Sequence, residues 1–196
     1  MKLLAIILSV VILSACSGTK VQRIDSSETI DLSGAWNDSD SRMTAETMVA
    51  DVLNRPWINR HVSKHGKPPT VIVGSIKNLT HEHINTNTFV SDIERELINS
   101  GMVEFVASAK QRGDIRDERK DQDLNSTEAT RNAAGQEIGA DYMLTGQINT
   151  IIDANASTQL RYYQVDLTLI SLADNRKVWV GQEKIKKLVE NSKLRY

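Results

Sequence analysis

Two stretches of strict alternation, joined by four turn-forming residues, restrict what this chain can fold into more than anything else in it. In residues 160–172, Tyr163, Val165, Leu167 and Leu169 point one way, while Arg161, Gln164, Asp166 and Thr168 supply most of the polar positions. Side chains two apart share a face of a strand, so this pattern predicts a strand with one buried face. Ala173, Asp174, Asn175 and Arg176 read as a turn, and residues 177–189 return as the second strand of a hairpin. Just upstream, residues 142–152 place Tyr142, Leu144, Gly146 and Ile148 on a common face. Three such strands in succession predict an antiparallel meander.

Ahead of the meander, helical and strand patterns alternate. Thr44 or Ser41 is expected to cap a first helix, in which Ala45, Met48, Val49, Val52 and Leu53 recur at helical spacing. Pro56 ends that helix or opens a short second one, with Trp57 tucked beneath it. Residues 70–76 form a β-branched strand bounded by Lys67-Pro68-Pro69. A helix capped by Thr86 or Thr88 follows, with Phe89, Val90, Ile93, Leu97 and Ile98 on one face and Gly101 just past its end. Residues 103–106 make a short strand, and the densely charged residues 108–123 a solvated surface helix. Asn125-Ser126-Thr127-Glu128 has the form of a capping box opening a slim helix of Ala129, Ala133, Ala134 and Ile138, closed by Gly139. The expected fold class is α/β: a mixed sheet of about five strands ending in an antiparallel meander, with helices packed against it.

The amino terminus is of another kind. Lys2 precedes an apolar run through Leu13, and Leu13-Ser14-Ala15-Cys16 ends it. This is the pattern of a secretory signal, and the run is shorter than the roughly 20 residues that cross a bilayer. A cysteine straight after Leu-Ser-Ala resembles the lipobox of bacterial lipoproteins. There the thiol is lipidated and cleavage falls between the residues matching Ala15 and Cys16. A transmembrane anchor, or an ordinary signal with a coincident cysteine, are the alternatives. Domains are therefore expected as residues 1–15 (signal), 16–42 (lipidated Cys16 and a flexible tether rich in Ser, Asp, Thr and Gly) and 43–196 (globular). Trp36 is the one tether residue expected to dock. Cys16 is the only cysteine, so the exported domain has no disulfide and must rely on its core. With 24 basic against 25 acidic residues, no charge excess directs the chain to nucleic acid.

Chemistry is sparse. His81-Glu82-His83 offers two imidazoles and a carboxylate, but in a polar loop these read as solvated side chains. His61 and His65 have the spacing of helical zinc ligands, yet no Glu stands in the expected place. Gly74-Ser75 lacks the later Gly and Lys of a phosphate loop, and there is no Gly-x-Ser-x-Gly elbow or Ser-x-x-Lys. No metal, no cofactor and no small-molecule substrate is expected. A binding module is favoured over an enzyme.

The run STEATRNAAGQEIGADYMLTGQI at residues 126–148 carries a resemblance, together with YQVDLTLI at 163–170 and VWVG at 178–181. Upstream, residues 71–76, Asn78-Leu79-Thr80, Glu96-Leu97 with Gly101, and VEFVAS at 103–108 continue it in order. The set resembles the penicillin-binding protein activator LpoB family, over roughly residues 43–187; similar sheets occur in CsgG-like envelope lipoproteins. The resemblance implies an outer-membrane lipoprotein, facing the periplasm, whose domain binds and activates a class A penicillin-binding protein and is not itself an enzyme. An envelope assembly or secretion lipoprotein of CsgG-like fold is the alternative. Ser17 after Cys16, rather than Asp, fits outer-membrane sorting. The tether is short: about 20 residues, at most about 70 Å when extended, where the family's best-known arm is long and Pro-rich. Partner contacts are placed at two exposed stretches, with Asn78, His81 and His83 in residues 78–86 and Asp153 and Asn155 in residues 153–158.

Overall fold

The computed structural model describes residues 20–132, 135 and 137–190; the signal segment, Cys16, Ala133 and Ala134 lie outside them. The elements run α1 (Asp38–Leu53), α2 (Trp57–His65), β1 (Thr70–Asn78), α3 (Thr86–Asn99), β2 (Glu104–Phe105), α4 (Ala109–Asn125), β3 (Tyr142–Ala154), β4 (Thr158–Ser171) and β5 (Lys177–Glu190). The five strands form one sheet in the order β2-β1-β3-β4-β5. β1 lies parallel to β2 and β3, while β3, β4 and β5 run antiparallel as the meander. This is the mixed α/β architecture expected.

One sheet face makes the core. Leu144 and Ile148 of β3, Val165, Leu167 and Leu169 of β4 and Trp179 of β5 are buried beneath Ala45, Met48, Val49 and Val52 of α1 and Phe89, Ile93 and Leu97 of α3. Gly146 is fixed by proximity: a Cβ there would collide with the Asp166 carbonyl and the Leu167 side chain on β4. The Trp57 indole lies beneath α1 and donates to the Val52 carbonyl at 2.8 Å.

Three local expectations are corrected. α1 starts at Asp38, not beyond a Ser41 or Thr44 cap; both lie inside the helix and are buried. Its N-cap is Asn37, which accepts from the Asp40 amide at 3.0 Å while the Asp40 carboxylate accepts from the Asn37 amide at 2.9 Å. That reciprocal pair turns the polar end of the expected tether into a first helical turn. α3 is capped by Asn85 rather than Thr86 or Thr88, although Gly101 sits past its end with the expected left-handed φ of 66°.

The third correction concerns the helix expected after Asn125. Asn125 is the last residue of α4, whose own capping box is Ser108 with Gln111, and its amide donates to Asp121 at 2.9 Å instead of opening a new helix. The described residues between Ser126 and Asp141 are turn and irregular backbone. Ala129 and Ile138, the described members of the expected stripe, are both exposed, Ile138 at 66%. α4 itself buries no residue, as its charge density predicts.

A candidate docking face at the open end of the sheet

The meander outruns β1. β1 ends at Asn78, opposite Ile148, whereas β3 continues to Ala154 and β4 begins at Thr158. Residues 149–164, with the end of β5, therefore continue as a three-stranded arm past the end of β1.

Two layers of interaction secure the base of this arm. The first centres on Glu82. Its Oε1 accepts from Arg161 at 2.8 Å and from the Tyr163 hydroxyl at 2.6 Å, and its Oε2 accepts from the Trp36 amide at 3.0 Å. The Tyr163 hydroxyl also lies 2.9 Å from the Gly34 carbonyl. Burial, then the bond to Glu82, pushes the Tyr163 phenol well above its ordinary value, so it stays a donor. The Trp36 ring packs edge-on against Phe89 and Tyr163, at 6.3 and 5.6 Å between centroids.

The second layer is Lys187 of β5. Its ammonium donates to Asp40 at 2.6 Å, Asp31 at 2.7 Å and the Ala35 carbonyl at 3.2 Å. Burial disfavours its charge, but the bonds to Asp31 and Asp40 outweigh this and hold the pKa above the ordinary lysine range. Residues 31–40 are thus strapped across β4 and β5. Trp36 docks as expected; the neighbours that dock with it were not foreseen.

The expected contact residues gather at this end but do different jobs. Asn78 is spent on its own loop: its amide donates to the Glu82 carbonyl at 2.7 Å and its oxygen accepts from the Thr80 amide and hydroxyl at 3.0 and 2.7 Å. Asn155 shapes the arm's turn, accepting from the Ser157 and Thr158 amides at 2.9 and 2.8 Å. His81, His83 and Asp153 are exposed. Glu82 is turned inward, away from any two-histidine site, and no group of three metal-ligating side chains occurs among the described residues.

The outer face of the arm shows what the sequence reading missed. Ile151 lies opposite Tyr162, and Leu160 lies opposite Leu188, on the side away from the core. Ile151 is 66% and Leu188 61% exposed, with Leu160 and Tyr162 half-buried between them. Asp153, Lys184, Lys186 and Glu190 stand around this patch. Beside it the same face becomes polar, where Asp166 accepts from Gln182 at 2.8 Å, Gln164 at 2.9 and 3.0 Å, and Asn149 at 3.4 Å. An apolar cluster with a charged and amide-rich rim is the anatomy of a protein-binding surface. The sequence signal was available: Ile151, Leu160 and Leu188 are large apolar residues on the polar phase of their strands.

The family model of the peptidoglycan-synthase activator LpoB matches residues 40–185, from the first turn of α1 almost to the end of β5. The chain belongs to the LpoB family. That match takes in Glu82, Tyr163 and most of the arm, but not Leu188 or the strap ahead of Asp40. The LpoB family is one of activators, and regulation rather than catalysis is the role its name carries. Among solved structures the chain is similar to the LpoB C-terminal domain from Escherichia coli, at 18% identity over 67% of this chain and 94% of that one, with a TM-score of 0.38. The corresponding domain from Salmonella enterica matches at 18% identity with the same coverages and a TM-score of 0.37. The PelC dodecamer from Paraburkholderia phytofirmans matches at 14% over 61% and 71%, with a TM-score of 0.33. No curated protein matches the chain.

Proposed function

We propose that this chain is an outer-membrane lipoprotein, anchored through Cys16 after cleavage behind Ala15, that binds a class A penicillin-binding protein and activates its synthesis of peptidoglycan. The observation that carries this reading is the activator-family match across residues 40–185. The geometry supports a binding role: the arm presents exposed Ile151 and Leu188, with half-buried Leu160 and Tyr162 between them, on a three-stranded ribbon. His81, His83 and Asp153 flank the same end. Docking of a synthase there would favour its active conformation by differential binding to its two states, which is the physical content of activation without chemistry.

The strap alters the expected linker. Residues 31–40 are held against the sheet and the Ser27 carbonyl accepts from Arg42 of α1 at 3.3 Å, so the span from Cys16 to Ser27 covers at most about 40 Å when extended. The partner's docking site must therefore come close to the anchoring membrane.

The full chain mixed with purified class A synthases should be captured by one of them and raise its rate of glycan polymerisation. Neither capture nor a rate change with any class A synthase of the same cell would overturn the reading.

A further inference from the structure

The end of the sheet away from the arm carries a second feature that the activator reading does not use. A cleft of about 570 Å³ opens between α2, the start of β3 and the β4–β5 turn. Arg60 and Lys64 line it from α2, and Arg176 and Lys177 from the turn and β5, against only two carboxylates, Asp141 and Asp174. Asp174 is bound to Arg176 at 2.7 Å, and that bond holds its pKa at about 2. Arg60, Lys64 and Lys177 have no acidic partner among the described residues. The cleft therefore holds two positive charges in excess.

A buried donor stands in the same place. His61 is 4% exposed, and its Nδ1 lies 3.1 Å from the Tyr142 hydroxyl. With that hydroxyl donating to Nδ1, the neutral ring carries its proton on Nε2. Nε2 has no hydrogen-bond partner; the nearest carboxylate oxygen, on Asp141, accepts from the Thr70 amide at 2.9 Å and lies 3.6 Å from Nε2, beyond hydrogen-bond reach. The exposed ring of His65 stacks on His61 with 4.5 Å between centroids and also lines the cleft. An unmet buried donor is costly in a folded protein, and one beside uncompensated cations is suited to an anion.

We propose that this cleft binds a phosphate monoester group. A dianionic phosphate matches the two-charge excess and its several acceptor oxygens suit both the arginine forks and the imidazole donor; a single carboxylate would leave one charge unmet. The group comes either from a soluble phosphate ester or from the headgroup of a lipid.

The test uses the full chain, inorganic phosphate at constant ionic strength, and the ring proton resonances of the histidines. His61 and His65 should shift along a saturable curve while His81 and His83, at the other end, stay still. In the Arg60→Gln/Lys64→Gln variant, whose substituted side chains are exposed, the midpoint should rise at least tenfold. A linear drift, equal movement of all four histidines, or an unchanged midpoint in the variant overturns the proposal. Vesicles of phosphatidylcholine containing phosphatidic acid then assign the source. If they displace phosphate where phosphatidylcholine alone does not, the ligand is a lipid headgroup; if they do not displace it, the ligand is a soluble ester. Loss of synthase activation would leave these histidine shifts untouched, so the two readings fail separately.

Discussion

Lys187 and Asp40 are joined at 2.6 Å across 147 positions of sequence, with only 10% and 4% of their side chains exposed. This one contact ties the last strand of the sheet to the first turn of the first helix. Asp31 shares the same ammonium, and the shared bonds hold its own carboxyl below the ordinary range.

Removing the lysine should therefore be costly. Lys187→Met leaves Asp40 buried without its counter-charge and is expected to lower stability by about 3 kcal/mol, in the range for broken buried pairs. Urea denaturation at neutral pH measures it; a loss below about 0.5 kcal/mol, the level of an ordinary surface change, would mean the contact is dispensable.

The same pair sets an alkaline limit. Lys187 has a folded pKa raised above the ordinary 10.5, so its contribution is complete below that value and is lost as pH rises through the folded pKa. Wild type should lose more stability than Lys187→Met between neutral pH and this alkaline range. Parallel denaturation curves of the two proteins against pH would decide, and identical slopes would contradict the linkage.

Tyr163→Phe removes the hydroxyl that meets both Glu82 and the Gly34 carbonyl but leaves Arg161 on the carboxylate. The expected cost is about 1.5–3 kcal/mol, one buried hydrogen bond to a charged group. Because Trp36 packs on the Tyr163 ring and its amide is held by Glu82, loosening of the strap should also redden tryptophan emission. A loss of stability with unchanged emission would show the strap to be independent of this hydroxyl.

On the arm, Ile151→Glu with Leu188→Glu should leave the melting temperature within a few degrees, since both side chains are exposed. Affinity for the activated synthase should fall at least tenfold, as expected for loss of apolar anchors. Wild-type affinity in this variant would move the docking face elsewhere on the domain.

Gly146→Ala should destabilise by about 2 kcal/mol, because its methyl meets the Asp166 backbone, which cannot give way as a side chain end would. Gly139→Ala, with open space around the added carbon, is the matched control and is expected to be neutral. Thermal unfolding of the pair distinguishes the close approach from a general intolerance of glycine replacement.

The contrast between what was legible and what was not follows from how far each determinant reaches. The meander could be read because a period of two is written locally, in Tyr163, Val165, Leu167 and Leu169 and again in Leu144 and Ile148. The start of α1 was legible in the local pair Asn37 and Asp40, but the burial of Asp40 was not, because it depends on an ammonium that arrives from β5. Asn125 misled because a capping box is a local signature, and whether the following residues find a surface to bury Ile138 against is not local. Glu82 looked like part of a solvated histidine loop; only the fold brings Arg161, Tyr163 and Trp36 to it. The docking patch is not local either: Ile151, Leu160, Tyr162 and Leu188 come together only through the register of three strands.

The strap also fixes where mechanical load enters the domain. Tension on the amino-terminal segment enters α1 through the Arg42 bond to the Ser27 carbonyl and β5 through the Lys187 bond to Asp31, and β5 pairs with β4 from Thr158 with Glu190 down to Ile170 with Lys177. A pull on residues 20–30 is thus shared between the first helix and the last strand of the sheet.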